Sequence, residues 1–220
     1  MGDFFRELWL EWPALVASLK WTLVLSGAAT ASGLLGGGLL LFLLTQPSRA
    51  VRAAANAYVT FFIGTPLLAL LFLAYYGLPT VGLDLSPFAA AFIGFTLNVS
   101  AYNARYLMSG YKAISAAELS AAAAMGYGRR QTFRLLILPQ SVRYATPGLV
   151  SQAINNLKDS SIAFLIQFDG FLAFIQNFTS QNFMFFRGYA FAACGYLVMV
   201  ILLALLARRI QRRVRIPGFA

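Results

Sequence analysis

The feature that most constrains this chain is the length of its apolar runs. Residues 19–44 and 188–207 are each predominantly apolar and long enough to cross a hydrocarbon layer about 30 Å thick, which takes about 20 helical residues. Every backbone group inside a bilayer must be hydrogen-bonded within the protein, so such runs predict helices. The chain is 60% hydrophobic and 11% charged, which is too apolar for a soluble domain of 220 residues. We therefore expect an all-α membrane protein.

Three further segments predict membrane spans, which brings the total to about five transmembrane helices. They are residues 57–76, 87–109 and 144–168, and the last of them is the least apolar. Gly64 and Pro66 predict a break near the start of the first of these three spans. Such a break is tolerated in a membrane when neighbouring groups satisfy the freed carbonyl groups.

The two ends of the chain differ in composition from the spans. In residues 1–18, Trp9 and Trp12 lie among charged residues, a pattern typical of a retained helix in the membrane interface rather than of a signal peptide. We expect residues 19–207 to form a single transmembrane domain and residues 208–220 to form a basic cytoplasmic tail.

Basic side chains are sorted by the side of the membrane. With the N-terminus outside and five alternating spans, twelve basic residues lie inside and three, Arg6, Lys20 and Arg187, lie outside. Because basic loops stay in the cytoplasm, the C-terminus and the segment 110–143 are predicted to be cytoplasmic. The sorting accounts for the net charge of +10 and argues for a lipid bilayer, not a nucleic acid, as the partner. The inside residues are Arg49, Arg52, Lys112, Arg129, Arg130, Arg134, Arg143 and the five arginines of the tail.

The sequence offers little for catalysis. It has no histidine and one cysteine, Cys194, in an apolar run, which argues against a disulfide framework, a metal site or a histidine base. It lacks the G-x-x-x-x-G-K-[ST] loop that binds nucleotide phosphates, and the run GLLGGG has no lysine and lies in a span. We therefore expect a protein that is not an enzyme and that itself binds no cofactor.

The stretch 115–147 is the longest basic and weakly hydrophobic interruption of the chain, and it overlaps the predicted cytoplasmic segment 110–143. Ser115 and Glu118 have the S-x-x-E spacing of a capping box, which predicts the start of an alanine-rich helix, AAELSAAAAM. Gly126 predicts the end of that helix in a left-handed turn, and Pro139 predicts the end of a second, basic helix, RRQTFRLLIL. Alanine side chains let a partner approach closely, so we interpret the segment as a docking element. The alternative is an ordinary cytoplasmic loop.

The run SAAAAMGYGRRQTFRLLILPQ resembles the coupling-helix motif of permease subunits of ATP-binding-cassette (ABC) importers. That motif is written EAA, three residues, Gly, nine residues, a hydrophobic residue, one residue, Leu-Pro. Ser120 stands in place of the motif glutamate, which in the family contacts the ATPase subunit. Glu118 lies two residues earlier and about 200° round the helix axis, so it does not substitute for the missing glutamate. The matching positions are Ser120, Ala121, Ala122, Gly126, Leu136, Leu138 and Pro139.

Three more stretches resemble signatures of the polar amino-acid branch of these permeases. They are IGTPLLALLFLAYYGLP, AYNARYLMSG and NLKDSSIAFLIQ, and with the coupling motif they cover roughly residues 60–167 in the family's order. Ile63 replaces a usual arginine and Arg105 replaces a usual glutamate.

The resemblance implies the type I ABC importer permease fold, with five core helices and a short cytoplasmic coupling helix, in a bacterial inner membrane. It also implies a second permease subunit, two nucleotide-binding ATPase subunits that hold ATP and Mg, and an extracytoplasmic substrate-binding protein. Since Ser120 departs from the motif, one degenerate coupling helix paired with one intact helix is favoured, which means a heterodimer of permeases.

The predicted fourth span carries a polar stripe made of two rows at intervals of four residues. A charge inside a bilayer costs about 2.5–3.5 kcal/mol on insertion scales, so such residues face a partner or a wet cavity. We interpret Asn155, Asp159 and Ser160 as lining a substrate pathway, with Asp159 able to hold an ammonium group. The alternative is packing against the second permease. The rows are Ser151, Asn155 and Asp159, and Gln152, Asn156 and Ser160.

The predicted third span places Asn98, Tyr102 and Arg105 on one helix face, a second candidate part of the pathway. Arg105 is able to meet a substrate carboxylate, but it lies near the cytoplasmic end, where a long arginine also reaches the headgroups. The sequence does not choose between basic, acidic and zwitterionic amino-acid substrates.

These observations favour the membrane subunit of an importer that passes a polar amino acid, or a similar solute, from a binding protein to the cytoplasm by alternating access. One alternative is a secondary transporter, which would need more helices and internal repeats. Another is a membrane scaffold or assembly subunit without transport, which only the missing glutamate supports.

Overall fold

The computed structural model describes residues 2–214, and within that range the chain is helical with no strand. The end of the predicted basic tail, residues 215–220, and Met1 lie outside the described residues. The helices are α1 (Gly2–Leu10), α2 (Trp12–Leu44), α3 (Arg49–Gly64), α4 (Leu67–Phe72), α5 (Pro87–Lys112), α6 (Ala116–Ala124), α7 (Arg129–Thr132), α8 (Leu138–Asp159), α9 (Phe171–Asn182) and α10 (Phe185–Val214). Two π turns, Leu73–Gly77 and Phe133–Ile137, and two 3₁₀ segments, Leu78–Val81 and Ser160–Ile166, connect some of them.

Two helices, α2 and α10, are each long and apolar enough to cross a membrane. Two bent pairs of helices bring the number to four if each pair counts as one span. They are Arg49–Gly64 with Leu67–Val81, bent by 101°, and Arg129–Ile166 with Phe171–Asn182, bent by 52°. The predicted third span corresponds to α5, which has 26 residues and a more polar composition. The all-α membrane class is confirmed, while the count of five spans and the orientation stay predictions.

The predicted break in the second span is present at the end of α3. The helix ends at Gly64, and the backbone N–H and the hydroxyl group of Thr65 both donate to the Phe61 carbonyl, at 3.0 and 2.7 Å. Pro66 has no N–H to offer to the carbonyl of Phe62. The helix begins at Arg49, eight residues before the predicted span, because Ser48 caps it and the alanines that follow favour helix.

The expected end of a helix at Pro139 is wrong. The π turn Phe133–Ile137 leads directly into α8, and the N–H of Leu138 bonds the carbonyl of Phe133. Pro139 therefore falls in the first turn of α8, where a missing N–H is tolerated. As a result α8 starts at Leu138, six residues before the predicted start of the fourth span.

The chain divides into two compact units, and the first comprises Met1–Thr30, Leu67–Phe95 and Ile154–Leu205. Its core includes Leu25, Leu71 and Phe95 in one cluster, and Leu157, Phe171 and Ile175 in another. The N-terminal helix α1 packs through Phe4 and Leu8 on Phe178. Trp9 and Trp12 are exposed, and their location in the membrane interface stays a prediction.

The second unit comprises Ala31–Pro66, Thr96–Ala153 and Leu206–Ala220. Close helix packing holds it together at glycines of α2. A Cβ atom on Gly33 would lie 2.5 Å from the side chain of Val99, and one on Gly37 would lie 2.7 Å from that of Asn103. Helices in membranes pack closely at such small residues. A cluster of buried side chains that includes Leu41, Leu107 and Ile137 packs the segment 110–143 against α2 and α5.

Candidate functional site

The segment 110–143 leaves and rejoins the membrane helices at one place. Gly110, near the end of α5, packs directly on the backbone of Ser141, near the start of α8, and a Cβ atom at position 110 would collide with the Ser141 carbonyl oxygen. The two ends of the segment are therefore in contact.

The helix α6 starts and ends as predicted. The Ser115 hydroxyl accepts a hydrogen bond from the Glu118 N–H at 3.2 Å, which fixes the first turn. Gly126 adopts φ +79° in the left-handed region, and the N–H of Tyr127 bonds the Ala122 carbonyl at 3.1 Å. Both predicted boundaries are confirmed, and each end of α6 is fixed by hydrogen bonds within the segment itself.

The next helix, α7, begins at Arg129 as predicted, and its first turn has a cap that the sequence prediction did not include. The side-chain carbonyl of Gln131 accepts a hydrogen bond from the N–H of Gly128 at 2.9 Å. This bond is half of a capping box. The spacing G-x-x-Q in the sequence is the signal that could have predicted it. The bond fixes the first turn of α7, which contains Arg129 and Arg130.

The motif residues of α6 divide between an inner and an outer face. Ala122 is 2% exposed and anchors the helix, whereas Ser120 and Ala121 are exposed. Two large apolar side chains beyond α6, Met125 and Leu135, are 65% and 61% exposed. Glu118 is exposed and Gly126 forms the turn, while Leu136, Leu138 and Pro139 are half-buried.

The exposed apolar side chains of Met125 and Leu135 next to a short alanine helix make this part of the segment a candidate docking surface. The small side chains of Ser120 and Ala121 leave the backbone of α6 accessible. The arrangement is suited to insertion into a cleft of the partner.

The polar stripe of α8 divides in the same way into an inner and an outer row. Gln152, Asn156 and Ser160 are buried, whereas Ser151 and Asn155 are exposed and Asp159 is half-buried. The inner row is therefore packed inside the chain. The outer row is accessible, either to a substrate pathway or to a second protein.

Asn156 shows what the inner row does. Its amide group donates to the Ser26 carbonyl at 2.9 Å and to the Thr30 hydroxyl at 2.8 Å, both on α2. Ser160 donates its hydroxyl to the Leu157 carbonyl at 2.6 Å. The two bonds of Asn156 connect the end of α8 to α2 within the first unit, whereas the Ser160 bond is local.

The candidate residues of α5 differ in their environments. Asn98 is buried and donates to the Phe62 carbonyl at 2.9 Å. Tyr102 is half-buried and Arg105 is exposed. Nearby, the Tyr58 hydroxyl lies 2.8 Å from the Ser100 hydroxyl. Asn98 therefore supports the broken end of α3, and its predicted contact with substrate stays a prediction, as do those of Tyr102 and Arg105.

The described residues contain no group of three or more histidine, cysteine, aspartate or glutamate side chains that could hold a metal ion. Apolar helices long enough to cross a membrane, with polar side chains among them, define a multi-pass membrane protein.

Residues 33–216 match the family described as "Binding-protein-dependent transport system inner membrane component". The chain belongs to that family and is an inner-membrane, multi-pass permease. This confirms the resemblance drawn from the coupling motif and the three signatures.

Individual relatives agree with the family. The "Probable amino-acid permease protein YxeN" of Bacillus subtilis is 30% identical over 208 residues, which are 93% of each chain. The "Putative glutamine transport system permease protein GlnP" of Rickettsia felis is 31% identical over 213 residues, 95% of this chain and 98% of the relative.

Solved structures support the fold. A crystal structure of an amino acid ABC transporter with histidines matches with a TM-score of 0.85 and 28% identity, over 95% of this chain and 98% of that chain. An inward-facing structure of the MetNI methionine ABC transporter has a TM-score of 0.76 at 20% identity, over 94% and 98%. The type I ABC importer permease fold is confirmed.

Proposed function

We propose that this chain is the permease subunit of an ATP-driven importer, which passes a polar amino acid or a similar solute from an extracytoplasmic binding protein into the cytoplasm by alternating access. The exposed helix α6 carries the proposal, because an alanine helix with uncovered apolar neighbours has the form of a docking element for an ATPase. The names of the relatives, amino-acid permease and glutamine transport system permease, support the substrate class.

The chain itself makes and breaks no covalent bond in this mechanism. ATP and Mg bind to the ATPase subunits, and nucleotide closure moves α6 and α7. Because Gly110 and Ser141 join the two ends of the coupling segment, that motion reaches α5 and α8 together. The membrane helices then pass between inward-open and outward-open arrangements.

The substrate pathway is assigned to the outer row of α8. Asn155 is exposed and Asp159 half-buried, so both are accessible to a polar solute, whereas Asn156 is engaged with α2. A carboxylate in a membrane span requires a polar environment, which a wet pathway supplies. Asp159 is suited to the ammonium group that every free amino acid carries.

A heterodimer of permeases explains the departure at position 120. Ser120 is exposed on the docking face of α6, where the motif glutamate would meet the ATPase. A second, non-identical permease with an intact motif would supply the charged contact that this chain lacks. The two nucleotide-binding subunits would then be held unequally.

The experiment is purification of the tagged chain from its own organism in mild detergent, with identification of the co-purifying proteins and an assay of ATP hydrolysis with and without loaded binding protein. We expect an ATPase, a second permease and stimulated hydrolysis. Ala121→Trp should prevent recovery of the ATPase, because a bulky side chain keeps the α6 backbone away from a cleft. Ala53→Trp is the matched control, since Ala53 is an exposed alanine of α3.

Recovery of the chain alone, under conditions that keep a control importer intact, would overturn the proposal and favour the scaffold function. Equal recovery of the ATPase with both tryptophan variants would show that α6 is not the docking element.

A further inference from the structure

A cavity of about 560 Å³ opens in the second unit between the end of α2, the turn that follows it, and the coupling segment. Apolar side chains that line it, called its floor below, include Phe42, Met108 and Phe133. The rings of Phe42 and Phe133 meet edge to face, with centroids 4.9 Å apart. The floor thus joins α2 to the π turn that precedes α8.

Two arginines, Arg52 and Arg129, also line the cavity. None of the described residues that line it is acidic. Arg52 donates through Nη1 to the carbonyls of Gln46 and Pro47, at 2.6 and 2.8 Å, which leaves the N–H groups on Nε and Nη2. Arg129 is exposed, and its guanidinium group has no hydrogen bond or ion pair within residues 2–214. Two cationic groups therefore face one cavity without a counter-ion from the described chain.

Two properties of the cavity identify the class of its ligand. An inorganic anion would use the arginines but has no need of an aromatic floor, and a neutral lipid would use the floor but leave the arginines unpaired. A phospholipid with a net negative headgroup satisfies both. Basic pockets between membrane helices on the cytoplasmic side are suited to such headgroups.

The place of the cavity agrees with that ligand. It lies where the apolar run of α2 gives way to the polar residues Thr45 and Gln46, as expected at the edge of the hydrocarbon layer. Under the proposed orientation this edge faces the cytoplasm, where the anionic leaflet attracts basic groups.

We propose that this cavity binds an anionic phospholipid of the cytoplasmic leaflet, with its phosphate at Arg52 and Arg129 and an acyl chain against Phe42, Met108 and Phe133. The lipid would then contact α2 and the α7 region at once. It would hold the coupling segment against the membrane helices, so coupling would depend on lipid charge. The inference goes beyond the proposed function and rests on the proposed orientation.

The test uses the whole transporter in nanodiscs of phosphatidylcholine, with trace amounts of photoreactive phosphatidylglycerol or phosphatidylcholine of the same acyl chains. Labelled peptides are mapped by mass spectrometry. We expect phosphatidylglycerol to label the cavity, and Arg129→Gln to lower that labelling about fivefold, because one arginine near the surface contributes about 1 kcal/mol. Arg49→Gln is the control, as an exposed arginine near Arg52 that does not line the cavity.

Arg129→Lys keeps the charge and should keep most of the labelling, which separates loss of charge from misfolding. Equal labelling by both lipids, or an equal loss in Arg49→Gln and Arg129→Gln, would overturn the proposal. So would displacement by millimolar inorganic phosphate, which would assign a soluble anion, or crosslinking of the cavity to an acidic segment of a partner subunit.

The orientation is tested separately. In a Cys194→Ser background, Ala50→Cys, at an exposed position at the start of α3 and away from the docking face of α6, should react with an impermeant thiol reagent in inverted vesicles and not in intact cells. A reversed result would remove the cytoplasmic assignment, while the labelling experiment would still decide whether the cavity selects an anionic lipid.

Discussion

The side-chain amide of Asn98 donates to the carbonyl oxygen of Phe62 at 2.9 Å. That carbonyl lies four residues before Pro66, so the helix itself provides no N–H for it. Asn98 reaches from α5 to take the place of the missing donor. The break in α3 is thus stabilised by a neighbouring helix, which is how such breaks survive in a membrane.

Removal of this donor should destabilise the chain. Asn98→Leu keeps a similar volume but leaves the Phe62 carbonyl unpaired, and we expect a loss of about 1 kcal/mol, the scale of hydrogen bonds between membrane helices. Unfolding in SDS, followed by circular dichroism, measures it. Asn56→Leu, at an exposed position of α3, is the control and should be close to wild type. Equal stability of the two variants would contradict the assignment.

The contact between Gly110 and Ser141 leads to a second prediction. Gly110→Ala places a methyl group on backbone atoms, which cannot move aside as a side chain can, and overpacking of this kind costs about 1–3 kcal/mol. We expect lower stability and weaker stimulation of ATP hydrolysis by the binding protein. Gly27→Ala is the matched control, since a Cβ atom there meets nothing within 4 Å. A normal Gly110→Ala protein would mean that the ends of the coupling segment separate freely.

The turn after α6 gives a third prediction, which isolates backbone conformation from packing. A Cβ atom on Gly126 meets nothing within 4 Å, but its φ of +79° costs other residues about 1–2 kcal/mol. Gly126→Ala should therefore fray the end of α6 and reduce coupling, and Gly126→Asn should reduce it less. Gly128→Ala has ordinary φ and is the control. Proteolysis of the segment, with ATPase stimulation, distinguishes the three.

A fourth prediction concerns the missing glutamate. Ser120 is exposed on α6, so Ser120→Glu restores the motif without disturbing the core. If the ATPase presents a basic group there, the variant should bind the ATPase several-fold more tightly, since an interfacial charge pair contributes roughly 1.5 kcal/mol or more. Ala117→Glu, exposed near the start of α6, is the control for added charge. Weaker binding of Ser120→Glu would show that the partner's cleft is adapted to serine.

The sequence was sufficient for features that depend on local chemistry. Ser115 and Gly126 mark the ends of α6 through a cap and a left-handed turn, and Gly64 with Pro66 marks the break in α3. Each signal acts within about four residues, so a single sequence contains all of it.

Two other features could not be read from local rules. At Pro139 the rule that proline ends a helix was overridden, because the π turn before it shifts the hydrogen bonds and places the proline in a first turn. Arg52 and Arg129 face one cavity although they lie 77 positions apart in the sequence. Such proximity depends on packing between distant helices, and no spacing in the sequence encodes it.

The polar stripe of α8 was visible in the sequence, but its division into an inner and an outer row was not. Both rows have the same period and similar side chains, so periodicity alone does not show which one turns inward. The partners of Asn156 on α2, Ser26 and Thr30, are 130 and 126 positions away in the sequence. Only the packed structure distinguishes Asn156 from its neighbour Asn155.

This division yields the last prediction, a contrast between adjacent asparagines. Asn156→Ala removes two hydrogen bonds at a side chain that is 1% exposed, so it should lower stability by about 1–2 kcal/mol. Asn155→Ala changes an exposed side chain and should leave unfolding in SDS unchanged while it lowers the rate of substrate uptake in proteoliposomes. If both variants lost stability equally, the outer row would be packing and the pathway would have to lie elsewhere. If Asn155→Ala were normal in both measurements, Asp159 would be the remaining candidate of that row, and Asp159→Asn at constant stability would then decide whether the row meets substrate.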